Sequence, residues 1–316
     1  MNPFDPQKTA FLFPGQGSQE VSMGAGLSES YPLAEETFAR ANAVLSFELS
    51  KLAWEGPEDE LNDTVNTQPA LLVHSVAALR LLQEEWADFQ PAFVAGHSMG
   101  ELSALVAAGA LPFEDAVQLA RRRGELMKAA GEAAPGGMAA IIALDIPKTE
   151  AVCMQASTPD EIVQVANDNC PGQVVISGHN AAVDRALPLA EEAGARKVVK
   201  LAVSIAAHSP LMSYAQTDFN QAVDAAPIET PQVPIIGNVT AKPLTTVEHI
   251  RADLQAQLNA RVRWTESIQY MLEQGVDTFI EIGSGDVLTG LVKRIDRKSK
   301  RFTLGTPEDF QKLLAG

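Results

Sequence analysis

The chemistry of this chain starts at Gly96-His97-Ser98-Met99-Gly100, which fits the pattern GxSxG. An apolar run over residues 91–96 leads into it and a helical pattern over 101–110 leads out. In a strand, turn, helix setting the glycines let the backbone reverse tightly, and the serine hydroxyl is left standing at the sheet edge. The N–H of Met99 then points toward the oxygen of an attacked carbonyl. That chemistry is nucleophilic acyl transfer. The bland alternative is an ordinary tight turn, and the flanking elements weigh against it.

A serine hydroxyl is a weak nucleophile and needs a base within hydrogen-bond reach. Of five histidines, His74 falls inside an apolar helix, His249 in a polar segment, and His179 in a turn after a glycine. Each reads more simply as structural. His97 adjoins Ser98 but points away from it in an extended backbone. His208 remains, in a loop just before Ser209-Pro210, from which it can reach the end of another strand. The usual α/β-hydrolase order of serine, acid, histidine would place a carboxylate between 98 and 208. None stands out there, and a backbone carbonyl can orient an imidazole N–H instead.

Arg123 is the next informative residue. Ala116, Ala120, Arg123, Met127 and Ala130 share one helical stripe, whereas Arg122 lies with Asp115, Gln118 and Glu125 on a polar face. Arg123 therefore points inward, and a buried guanidinium requires a partner from elsewhere in the fold or from a ligand carboxylate. The turn Pro14-Gly15-Gln16-Gly17-Ser18-Gln19 completes no phosphate-loop fingerprint, but its N–H groups suit a second oxyanion donor.

The elements that must position these residues read as α/β. A strand over Thr9–Phe13, a helix from Ser18 onward, helices over 32–45 and 68–86, and the strand and helix around Ser98 alternate as in a largely parallel sheet. Active sites of such sheets lie at strand C-terminal ends. After Ala134-Pro135-Gly136-Gly137 the rhythm changes. Strand (138–144), helix (147–156), strand (161–166), strand (173–177), helix (181–193) and strand (197–203) follow the βαββαβ order of a ferredoxin-like unit. The expected organisation is a hydrolase-like core over 1–133 and 205–316, with 134–204 as an inserted subdomain.

Composition limits the alternatives. The 316 residues are 46% hydrophobic and carry a net charge of −16, which disfavours nucleic acid and anionic membranes as general partners. No apolar run is long enough to span a bilayer, and no leader pattern opens the chain. The two cysteines, Cys153 and Cys170, lack metal-site spacing, so a cytoplasmic protein without a structural metal is expected. One segment is locally basic: Lys293, Arg294, Arg297, Lys298, Lys300 and Arg301. It reads either as a solvated helix end or as a docking face for an acidic partner.

Taken in order, FPGQGSQ, NTQPALL, GHSMGELSALVAAGAL, RRRGELM, GGMAAIIAL, VANDNCPGQVVISG, VSIAAHSPLM, GNV and EIGSGDVLTGLVKR resemble the malonyl-CoA:acyl carrier protein transacylases nearly end to end. The resemblance implies that Ser98 is acylated, that His208 is its base, and that the backbone carbonyl of Gln257 orients the imidazole. It implies an oxyanion hole from the amides of Gln16 and Met99, a malonyl-carboxylate ligand in Arg123, and a pantetheine channel lined by Asn167, Asn169 and Gln173. It also implies transfer from malonyl-CoA to holo acyl carrier protein in two half-reactions, with neither metal nor redox cofactor. Ser284 and Asp286 depart from the family's usual GPGKVLTG, and Ile205-Ala206-Ala207 occupy positions that vary in the family and help shape the acyl pocket. A lipase- or thioesterase-like hydrolase, and a non-enzymatic carrier-binding subunit, are the competing expectations.

Overall fold

The computed structural model describes residues 4–315. Its ten strands are β1 (Thr9–Phe13), β2 (Phe93–Gly96), β3 (Gly136–Ile142), β4 (Val163–Cys170), β5 (Gln173–His179), β6 (Lys197–Lys200), β7 (Ile235–Ile236), β8 (Pro243–Leu244), β9 (Thr278–Ile282) and β10 (Lys300–Leu304). The larger sheet runs β10-β9-β1-β2-β7-β8 and is parallel except for β8. All five residues of β1 are buried, as expected of a central parallel strand covered on both faces. The helices Thr64–Glu85 and Phe113–Ala133 pack against each other beside this sheet, close enough that a Cβ on Gly124 would lie 2.6 Å from the Thr64 carbonyl oxygen.

The smaller sheet is antiparallel, in the order β4-β5-β3-β6, with helices Ile146–Ala156 and Asn180–Glu192 on one face. This is the ferredoxin-like strand order, built from the βαββαβ sequence expected. Most boundaries shift by one or two residues from the sequence reading, and two shift by more. β4 continues to Cys170, with two register irregularities, because Asn167 and Asp168 find a second partner in Val262: the Asp168 N–H donates to the Val262 carbonyl at 2.9 Å. β6 stops at Lys200, where the chain bends away.

The helix expected from Ser18 does not form there. Gly17, Ser22 and Gly24 all take positive φ, and helix begins only at Ala25–Ser30. The helix expected from Gln68 starts a turn earlier, because Asp63 caps it by accepting from the Val65 N–H at 3.1 Å. Among the described residues no helix is long and apolar enough to cross a membrane.

Candidate active site

β1 and β2 are adjacent and parallel, with Phe13 opposite Gly96, so the turns that leave their C-terminal ends lie side by side. The His97 N–H donates to the Phe13 carbonyl at 3.0 Å and fixes the two turns together. Ser98 occupies the reversal itself, with φ of +52°, a conformation costly for a residue with a Cβ. Gly96 and Gly100 make it possible. A Cβ on Gly96 would fall 1.9 Å from the Gly100 carbonyl oxygen, and one on Gly100 would fall 2.3 Å from that of Phe13.

His208 also has positive φ, +58°, and is buried. Its Nδ1 lies 2.8 Å from the carbonyl oxygen of Gln257 and 3.2 Å from that of Ala260. Both are acceptors only, so Nδ1 carries the proton and Nε2 is bare. The Ser98 hydroxyl then donates to Nε2 at 2.8 Å. Burial, with the nearby charge of Arg123 adding to it, drives the His208 pKa down to about 3, so the ring is neutral near pH 7. Among the described residues no carboxylate hydrogen-bonds to the ring.

Arg123 is 2% exposed and forms no ion pair among the described residues. Its Nη1 donates to Gln68 Oε1 at 2.8 Å, and its Nη2 donates to Gln257 Oε1 at 2.7 Å and to the Ser98 hydroxyl oxygen at 3.2 Å. Nε has no partner. Burial lowers the guanidinium pKa to about 10, which still leaves it charged. A cation held by neutral groups next to a nucleophile is a site waiting for an anion. Arg122, by contrast, is exposed and faces Asp218 and Glu125.

The N–H groups of Gln16 and Met99 have no intramolecular acceptor among the described residues, although each lies on a turn bordering Ser98. The Gln16 side chain is held by the Thr64 hydroxyl, which donates to its Oε1 at 2.9 Å. Asn169 reaches the same area: its Oδ1 is 2.8 Å from Nε2 of His97, whose ring stands edge-on to Trp264. Asn167 is buried on the same strand. Gln173 lies apart from this group, at the β4–β5 turn, where Arg294 donates to its Oε1.

Several participants carry no obvious signal in sequence. Asn238 accepts from the Ser98 N–H at 2.9 Å and donates to the Gly96 carbonyl at 2.9 Å, clamping the reversal from both sides. The Gln257 side chain donates to the Ser98 carbonyl at 3.2 Å and to Glu101, so this one residue touches serine, histidine and arginine. Gln68 and Asn238 lie inside recognisable stretches, NTQPALL and GNV, yet their types alone assign no role. His97, dismissed on position, borders the site through Asn169.

The basic segment divides on inspection. Lys293, Arg297, Lys298 and Lys300 are exposed, with no side-chain partner among the described residues. Arg294 holds Gln173, and Arg301 donates to the Asp296 carbonyl and to Ser299, bracing its own loop.

Comparison with known proteins gives a consistent picture. The family model described as acyl transferase domain matches residues 10–302. The chain is 46% identical over 304 residues to a Bacillus subtilis malonyl CoA-acyl carrier protein transacylase, covering 96% of this chain and 95% of that protein. The crystal structure of malonyl-CoA:acyl carrier protein transacylase from Xanthomonas oryzae superposes with a TM-score of 0.94 at 43% identity, covering 100% of this chain and 99% of that one. A malonyl-transacylase solved in complex with a type II PKS acyl-carrier protein superposes at 0.93 and 41% identity, covering 98% and 99%.

Proposed function

Because this chain belongs to the acyl transferase domain family, and its relatives over nearly full length are malonyl-CoA:acyl carrier protein transacylases, we propose the following course for malonyl transfer through Ser98. The enzyme moves a malonyl group from malonyl-CoA to acyl carrier protein. The observation that carries the reading is the placement of a charged, carboxylate-free Arg123 3.2 Å from a serine hydroxyl that also donates to a neutral histidine. A hydrolase of unselective acyl groups has no use for that cation.

The malonyl carboxylate binds the Arg123 fork, which orients the thioester carbon over Ser98. Burial is the main cause of the depressed His208 pKa, but binding neutralises the Arg123 charge that adds to it, so the imidazole becomes a better base when a carboxylated acyl group is in place. Ser98 Oγ attacks the carbonyl as its proton passes to His208 Nε2, and the carbonyl oxygen becomes an oxyanion facing the N–H groups of Gln16 and Met99. Collapse breaks the carbon–sulfur bond, and His208 returns the proton to the departing coenzyme A thiolate. The Gln257 carbonyl, holding Nδ1–H, supports the imidazolium without adding a buried carboxylate.

The second half repeats these steps with the phosphopantetheine thiol of holo carrier protein as attacker. Apart from the proton transfers, every bond made or broken joins the acyl carbon to oxygen or sulfur, so the scheme invokes no resident metal or redox cofactor. Asn167 and Asn169 would line the pantetheine path. Gln173, tied to Arg294, would act only at its outer end. The acidic carrier would dock on the face bearing Lys293, Arg294, Arg297 and Lys298. Residues 134–204 would act as a subdomain inserted into a core of 1–133 and 205–316, roofing Ser98 through β4. A cytoplasmic setting fits a coenzyme A substrate.

The test is the fate of the acyl group. Purified protein charged with malonyl-CoA and then given holo carrier protein should pass malonate to the carrier far faster than to water. Release of free malonate at the same rate with and without carrier would replace this reading with that of a thioesterase.

A further inference from the structure

Beneath the Ser98 turn lie two carboxyl groups that the scheme above does not use, Glu101 and Asp253, each no more than 2% exposed. Glu101 Oε2 accepts from Asn238 Nδ2 at 2.6 Å and from Gln257 Nε2. Its Oε1 is buried and receives no hydrogen bond. Asp253 is amply supplied: the N–H groups of Val239 and Thr240 and the Thr240 hydroxyl all donate to it at 3.2 Å. The two carboxyls are held by one short segment, Glu101 through the Asn238 side chain and Asp253 through the N–H groups of the next two residues.

Two neighbouring carboxylates buried away from water disfavour each other's ionisation. The three donors select Asp253 as the anion. A proton on Glu101 then removes the conflict, and the buried Oε1, which receives no hydrogen bond, is the oxygen free to carry it. Burial first, and the neighbouring Asp253 second, push the Glu101 carboxyl well above the ordinary range. Arg123, from the helix Phe113–Ala133, is the facing cation, and His208 lies beyond Gln257.

We propose that Glu101 is a positioning residue held as a neutral carboxylic acid, which locks the Gln257 amide and thereby leaves the Arg123 charge free for the acyl carboxylate. The amide has one workable orientation. Its NH2 must face two acceptors, the Ser98 carbonyl and Glu101 Oε2, so its oxygen faces the Arg123 Nη2. An ionised Glu101 would place a second negative charge behind Gln257 and compete with malonate for the same guanidinium. Neutral Glu101 keeps the geometry and removes the competitor. The inference deepens the reading of Arg123 as the acyl-carboxylate ligand and rests on it.

The direct test is an infrared difference spectrum, wild type minus E101Q, at pH 8 in water and in deuterium oxide. Wild type should show an extra carboxylic-acid C=O band, absent from the variant and shifted by deuteration. In kinetics, E101Q keeps the neutral hydrogen-bonding group and should hold malonyl kcat/KM within about fivefold, whereas E101L should lose about 50-fold or more and with it much of the preference for malonyl over acetyl. A carboxylate band in place of the acid band, or E101Q as impaired as E101L, overturns the proposal, as does an E101L enzyme with wild-type preference. Should E101L not fold, the spectrum and E101Q still decide. Failure of wild type to acylate Ser98 would remove the functional reading while leaving the spectral result intact, so the two failures are distinguishable.

Discussion

The region under the large sheet's C-terminal edge and the interior of the small sheet are built on opposite principles. Under the large sheet's C-terminal edge, Arg123, His208, Asn238, Gln257, Gln68, Glu101 and Asp253 are all buried and joined by hydrogen bonds around Ser98. Between the small sheet and its helices the filling is apolar: Ile141, Val152, Val165, Val174, Ile176 and Val183 meet alanines from both helices. Its ion pairs, such as Lys200 with Asp184 and Arg185 with Glu161, lie on the outside. A dry interior gains stability from each methyl group it buries, whereas a polar one spends stability to hold groups in a reactive arrangement. The contrast locates the chemistry as clearly as the GxSxG pattern does, and the edge strand β4 links the two.

Substitutions should sort accordingly. Arg123→Ala should lower malonyl kcat/KM by about 100-fold or more, with acetyl transfer falling much less, since the carboxylate loses its ligand. Because the guanidinium charge helps hold the His208 pKa down to about 3, its removal raises that pKa, and the acid limb of the acylation rate moves to higher pH. An unchanged malonyl preference in steady-state assays would remove Arg123 from the site. On the other side of the comparison, Ile141→Ala should cost about 2–4 kcal/mol in denaturant unfolding while leaving kcat for malonyl transfer near wild type. Equal loss of activity and stability there would break the division between the two interiors. The smallest effect is expected at the surface, where reversing Lys293, Arg297 and Lys298 together should raise KM for the carrier about tenfold without altering acylation by malonyl-CoA. Unaltered carrier kinetics would make this face merely solvated.

The sequence discloses these interiors unevenly. Ser98 and Arg123 were legible because both sit in regular elements whose periodicity fixes direction: a strand and helix flank one, a helical stripe carries the other. The βαββαβ order was legible for the same reason, as apolar alternation survives without knowledge of partners. Glu101, Asp253 and Asn238 were not, because a buried polar group is recognisable only from the donors and acceptors that other segments bring to it. Asp253 matters through Val239 and Thr240, and Asn238 through Gly96 and Ser98, separations that no local pattern encodes. The missing helix at Ser18 and the extension of β4 to Cys170 have a related origin: positive φ at Gly17 and Ser22, and a bridge to the distant Val262, override local tendencies.

Whether Ser98 carries the acyl group is read out by intact mass after brief exposure to malonyl-CoA. Wild type should gain one malonyl increment, mapped by peptide digestion to Ser98 and absent from Ser98→Ala. An adduct of equal yield on the Ser98→Ala protein, or one mapped to another residue, would contradict the account.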